Sequence, residues 1–207
     1  MPLQNRVTPF GDILAVPERG MFTGNRGIIH DPSTKTLLNR RWSSPAWITC
    51  VCDFRGRRRD VMAKQSWTEL FFLDEATSFA AGHRPCFYCR RDDAQRFRAA
   101  WEQGMGVSGV KAAEIDRVLH AERLEGRGKR LHTPEGPISA LPDGTMIAAG
   151  HACYLIANGR VLQWSFAGYC AVDAAVRDAH LLTPPSTVSA LRAGYRPVWH
   201  ESADAPH

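Results

Sequence analysis

The chain has no long apolar run. None of its segments approaches the roughly 20 consecutive apolar residues that a membrane-spanning helix needs, so no membrane partner is expected. No basic segment followed by an apolar stretch of signal-peptide length stands at its beginning, and the expectation is a cytoplasmic protein. It also lacks a phosphate-cradling glycine motif, a nucleophile elbow and HExxH, which removes three well-marked enzyme chemistries. In a reducing compartment its six cysteines do not make a disulfide framework, so they point to metal, redox chemistry or packing. A thioredoxin-like pair would follow a strand at a helix N-terminus, whereas here Cys86-Phe87-Tyr88-Cys89 follows a helical stretch.

What is present suffices for a real core: 207 residues, 44% of them hydrophobic, expected as one compact unit. Against 21 acidic residues stand 26 Lys and Arg, a net charge of +5, which permits a polyanionic partner. The excess is clustered at Arg40-Arg41, Arg55 to Arg59, Arg84 to Arg98 and Arg123 to Arg130.

Three stretches organise the chain. Residues 1–41 read as an irregular arm with a short strand in "GDILAV" and a Gly-punctuated loop from Glu18 to Asp31. Residues 42–103 begin with "AWITCVCDF" and "DVMAK", two strands around a basic turn. A helix near Asp74 to Ala81 ends at Gly82, and a second, after the cysteine pair, carries Ala94, Phe97 and Trp101 on one face behind an Asp92 cap. Residues 104–207 hold a helix, a basic loop, an antiparallel meander turned at Asn158-Gly159, a helix from about Ser186 to Arg192, and an exposed end. The fold class is α+β: a small antiparallel sheet with short helices around a Cys knuckle, plus a C-terminal meander.

The stretch "FFLDEATSFAAGHRPCFYCRR", Phe71 to Arg91, resembles the metal-binding module of the Ada alkylation-repair family. There a Phe-rich strand, a short helix ending in Ala-Gly and an Arg-Pro-Cys-x-x-Cys-Arg turn supply half of a four-cysteine zinc site. The resemblance implies zinc at Cys86 and Cys89 and a DNA partner in repair or modification. The family's other two ligands form an earlier Cys-x-x-x-Cys pair; this sequence has Cys50 and Cys52 instead. On a strand those two project to one face and can converge on the same ion, yet Ile48 and Phe54 share that face and make an equally plain apolar row. His83 or His120 are alternative ligands. The family's methyl-accepting cysteine has no counterpart at the matching turn, so only the scaffold carries over.

For a DNA or other nucleic-acid partner the expected phosphate contacts are Arg57, Arg58, Arg59, Arg84, Arg90, Arg91, Lys129 and Arg130. Trp164, Phe166 and Tyr169 offer a stacking surface for unpaired bases. The alternative is an enzyme acting on a nucleotide or nucleobase, a zinc hydrolase or a permuted deaminase. Deaminases combine His-x-Glu with Pro-Cys-x-x-Cys, and here His120-Ala121-Glu122 follows the cysteines in reversed order. A pocket shared by Asn25, Arg26, Glu69 and His120 would favour that class.

Overall fold

Period-two alternation sets the first sheet. In the computed structural model, which describes residues 1–56, 60–64, 66–172 and 176–205, six strands stand in the order Ile13–Leu14, Arg6–Val7, Leu70–Phe72, Phe22–Asn25, Ile48–Val51, Arg84–Pro85. Phe22–Asn25 is antiparallel to both its neighbours, and Arg84–Pro85 runs parallel to Ile48–Val51 at the edge. Leu70 and Phe72 join Val7 and Ile13 in a buried cluster. The alternate residues Thr23, Asn25, Ile48, Cys50 and Phe71 line an open cleft on the other face.

The Glu18 to Asp31 segment is therefore not a loop but contains the strand at the middle of this sheet. Gly20 and Gly24 serve close approach rather than turning. A Cβ on Gly20 would lie 2.0 Å from the Phe72 carbonyl oxygen, and one on Gly24 would lie 2.3 Å from that of Ile48. The expected strand over "DVMAK" is absent from its described residues, 60–64. Residues 61 and 62 turn, with Met62 buried at φ 55° and its N–H donating to Glu69 Oε2 at 3.0 Å.

Helix α1 (Glu75–Ala80) starts where Asp74 Oδ1 accepts from the Thr77 N–H (2.8 Å) and hydroxyl (2.7 Å). All six of its residues are buried. Ala76 and Ala80 pack on Met146, Leu155 and Leu162 of the second sheet. Phe79 meets Phe97, Ile115, Leu119 and Leu191 from α2 (Arg91–Met105), α3 (Ala112–Arg123) and α4 (Pro185–Arg192). Just past its end, Ala81 joins the core of the first sheet. A helix buried on every side, its polar Glu75, Thr77 and Ser78 included, is a central one, and α1 is the hub of the molecule. The cap residue of α2 is Arg90 rather than Asp92. Asp92 and Asp93 lie instead in the first turn, where the helix dipole favours acids.

The second sheet is antiparallel throughout, in the order Gly168–Ala171, Arg160–Ser165, Ala152–Ala157, Met146–Ala149, His180–Leu181. Its hairpin turns at Asn158 and Gly159, with φ of 52° and 71°, as the Asn-Gly signal predicts. The Trp164 indole N–H donates to Thr77 Oγ1 (3.1 Å) and the Tyr169 hydroxyl to Asp74 Oδ2 (2.7 Å), so the expected stacking surface is turned inward. The tail is not an exposed end. Tyr195 OH and Val198 N–H donate to the two carboxylate oxygens of Glu75, both at 3.0 Å, and His200 N–H donates to Asp74 at 3.0 Å. Among the described residues no helix is long and apolar enough to cross a membrane.

Candidate metal centre

Parallel pairing at the sheet edge brings the cysteines together. Arg84 N–H donates to the Trp47 carbonyl (3.1 Å) and Cys86 N–H to that of Thr49 (2.9 Å), which delivers Cys86 beside Cys50. Thr49 Oγ1, on the reverse side of the strand, donates to Ser78 Oγ (3.0 Å) and fixes which face Cys50 presents. The turn then closes on itself: Arg90 N–H donates to the Cys86 carbonyl (3.0 Å), and Tyr88 N–H to the Cys86 sulfur (3.4 Å). The Sγ atoms of Cys50, Cys86 and Cys89 all lie within 4.8 Å of one another and are half-buried. Tetrahedral zinc, with Zn–S near 2.3 Å, draws its sulfurs to about 3.8 Å apart, so this group needs only a small contraction to hold an ion.

The cluster is electrostatically asymmetric. Cys86 is pushed well below the ordinary thiol range, first by hydrogen bonds from the thiols of Cys50 and Cys89 and then by the N–H groups of Cys89 and Tyr88. Cys50, the donor in this arrangement, is pushed up by Cys86, Cys89 and burial. Cys52 is outside the cluster. The strand ends at Val51, alternation stops with it, and the Cys52 thiol faces the Met21 carbonyl oxygen at 3.4 Å. His83 is no ligand either: it is fully buried, and its Nε2 accepts from Arg26 Nε at 3.3 Å.

Beside the cluster lies a cleft of about 1080 Å³, with Cys50, Cys86 and Cys89 in one wall and Thr23, Asn25, Glu69 and Phe71 along the sheet. The Ile48 and Cys50 row is thus a cleft wall rather than a core row, and Cys52 and Phe54 line the same space. Tyr88 is 65% exposed and packs against Phe54 with ring centroids 5.2 Å apart, while Arg55 sits 5.1 Å over the Phe54 ring.

Several expected site residues have other work. Arg84 and Arg90, taken from the sequence as phosphate contacts, are each only 4% exposed. Arg84 grips Asp116 of α3 through two hydrogen bonds of 2.8 Å, and Arg90 pairs with Glu75 (2.7 Å) and Asp93 (2.8 Å). The reason is that both flank a turn wedged between helices, so their side chains reach buried carboxylates rather than water. Lys129 is half-buried and donates to the Ala80 carbonyl. Arg91 and Arg130 are exposed, and Arg57, Arg58 and Arg59 lie outside the described residues. His120 and Glu122 do not line the cleft. His120 Nδ1 is 2.7 Å from Arg123 Nη2, and Glu122 accepts from the Ser186 hydroxyl (2.6 Å) and N–H at the start of α4. The permuted deaminase set is therefore not assembled. Of the four residues that would have shared one pocket, Asn25 and Glu69 line the cleft, and Arg26 lines a separate cavity.

Thr23, Trp67 and Tyr88 line the cleft without a mark in the sequence that sets them apart as site residues. Alternation would have found Thr23 had Phe22–Asn25 been recognised as a strand; nothing in the sequence marks Tyr88 as exposed. The geometry establishes a three-cysteine group able to hold a metal ion. Comparison of the chain with protein-family models, with curated proteins and with solved structures finds no match to any of them.

Proposed function

We propose that this is a zinc-thiolate protein acting on nucleic acid, with Cys50, Cys86 and Cys89 as its three protein ligands. The observation that carries the reading is the convergence of these thiols on the wall of a wide cleft. Structural zinc sites close with four protein ligands, whereas catalytic ones keep a position for water or substrate. Zinc held there would supply a Lewis acid and a water acidic enough to ionise near neutral pH. Glu69, in the same lining, is the group placed to take a proton, and Asn25 to hydrogen-bond a base edge. Nucleic acid is favoured as partner by the exposed Tyr88 beside Phe54, by Trp67 in the cleft lining and by exposed Arg19. Aromatic platforms with nearby cations are how unpaired bases are held. The Ada-like sequence of residues 71–91 supports a DNA substrate in repair or modification.

The test is elemental analysis of purified protein together with DNA titration at several salt concentrations. We expect about one zinc per chain, lost in Cys50→Ser and in Cys86→Ser but kept in Cys52→Ser. Tyr88→Ala should weaken single-stranded DNA binding by about 1–3 kcal/mol without loss of metal. Metal-free wild type, or full metal retention in Cys50→Ser, refutes the centre; DNA binding indifferent to Tyr88 refutes the partner.

A further inference from the structure

A second cavity, of about 240 Å³, shares no lining residue with the cysteine cleft. It opens between the Gly11 turn, the segment from Arg41 to Trp47, the end of α3 and the Leu124–Glu125/Gly128–Lys129 ribbon. Among the described residues five cationic side chains line it, Arg26, Arg41, Arg123, Arg127 and Lys129, against one carboxylate, Asp12.

Two of these cations are in an unusual position. Arg26 and Arg123 are each 1% exposed, and neither forms an ion pair among the described residues. Arg26 donates to the Gly11 carbonyl (2.9 Å) and to His83; Arg123 donates to the carbonyls of Gly82 (2.9 Å) and Pro45 (2.6 Å) and meets His120. Both guanidiniums lie on the Trp47 ring, 4.0 and 3.9 Å from its centroid. Among the described residues Arg26 Nη2 and Arg123 Nε remain buried with no hydrogen-bond partner. An uncompensated buried charge costs several kcal/mol, and an orphaned buried donor marks a missing acceptor. Other buried arginines in this protein, Arg84 and Arg90, have their carboxylates. Asp12 and Asp116 act on Arg26 and Arg123 only from a distance, and among the described residues no carboxylate pairs with either.

We infer that this cavity binds the phosphoryl group of a phosphate ester, with Arg26 and Arg123 as its floor and Arg41 and Arg127 at its mouth. A carboxylate brings one charge, whereas a phosphomonoester brings about −1.5 to −2 at neutral pH and three strong acceptor oxygens, which suits several guanidinium forks at once. Half-buried Trp42 in the same wall gives the esterified group an aromatic surface. Burial and neighbouring cations push Arg26 down to about 9 and Lys129 to about 7, a strain that a bound dianion relieves. Inorganic phosphate offers the same chemistry without the ester.

The experiment is calorimetric and thermal-shift titration of the whole 207-residue chain, as purified and in phosphate-free buffer, with inorganic phosphate, a nucleoside monophosphate and the corresponding nucleoside. Phosphate and the nucleotide should bind and raise Tm; the nucleoside should do neither. Arg41→Ala/Arg127→Ala, exposed at the mouth, should keep the unliganded Tm and lose about tenfold or more in affinity for both anions. Trp42→Ala should weaken the nucleotide alone if the ester is the ligand; affinity for the nucleotide no better than for phosphate assigns the free anion. Absence of binding at millimolar phosphate and nucleotide, or affinity unchanged in the double variant, overturns the site. Zinc content, which this variant should leave intact, keeps the outcome separate from that of the metal centre.

Discussion

The Arg84–Asp116 pair ties the cysteine turn to α3. Arg84 stands in an Arg-Pro-Cys turn beside a basic run, and nothing in that pattern says whether the guanidinium meets water or a carboxylate many residues away. Asp116 decides it, from α3, with both its oxygens. Such pairing across elements is invisible to local reasoning, as is the pairing of Arg90 with Glu75. Replacing Asp116 by Asn leaves a buried guanidinium without its counter-charge, and chemical denaturation should show a loss of about 3–5 kcal/mol. Arg84→Met/Asp116→Leu should recover much of that loss, because an apolar pair of similar volume avoids the desolvation of two charges.

Among the elements, those with strong local chemistry were legible. The Asn158-Gly159 hairpin, the helix ended by Gly82 and the apolar face of α2 follow from turn, cap and period signals in their own residues. Phe22–Asn25 was not, because Gly20 and Gly24 mimic a loop while serving to let two carbonyl oxygens come close. The metal group was legible by half: Cys86 and Cys89 by spacing, Cys50 by alternation, but not the exclusion of Cys52, which depends on where the strand ends. Since Gly24 pairs directly with Thr49, one residue before Cys50, Gly24→Ala should disturb the register that presents Cys50. The expected outcome is destabilisation of roughly 1–3 kcal/mol together with weakened zinc retention in a chelator competition. Gly136→Ala, with nothing within 4 Å of its added Cβ, is the neutral control.

For the molecule as a whole, the net charge of +5 matters less than where the charges lie. Lys129 is lowered from the ordinary 10.5 to about 7, by burial first and then by Arg26 and Arg123, with Cys153 and Glu122 acting the other way. A base depressed by folding binds fewer protons in the native state than in the unfolded one, so stability rises with pH through the interval between the two values. Between pH 7 and 8.5 the unliganded protein should gain stability relative to Lys129→Met, a comparison in which the thiols common to both proteins cancel. That relative slope should flatten when phosphate is added, and denaturation curves in phosphate-free and phosphate buffers check both statements.

The strap from Tyr195 to His200 has a consequence in time rather than in space. Asp74 and Glu75 at the head of the central helix take three of their hydrogen bonds from residues 195, 198 and 200, which a ribosome adding about 5–20 residues per second delivers several seconds later. During that interval the nascent hub holds two acidic groups whose final donors do not yet exist. Synthesis therefore sets the earliest moment at which α1 can be fully enclosed, and a chain halted before residue 195 keeps an open centre for chaperones to find.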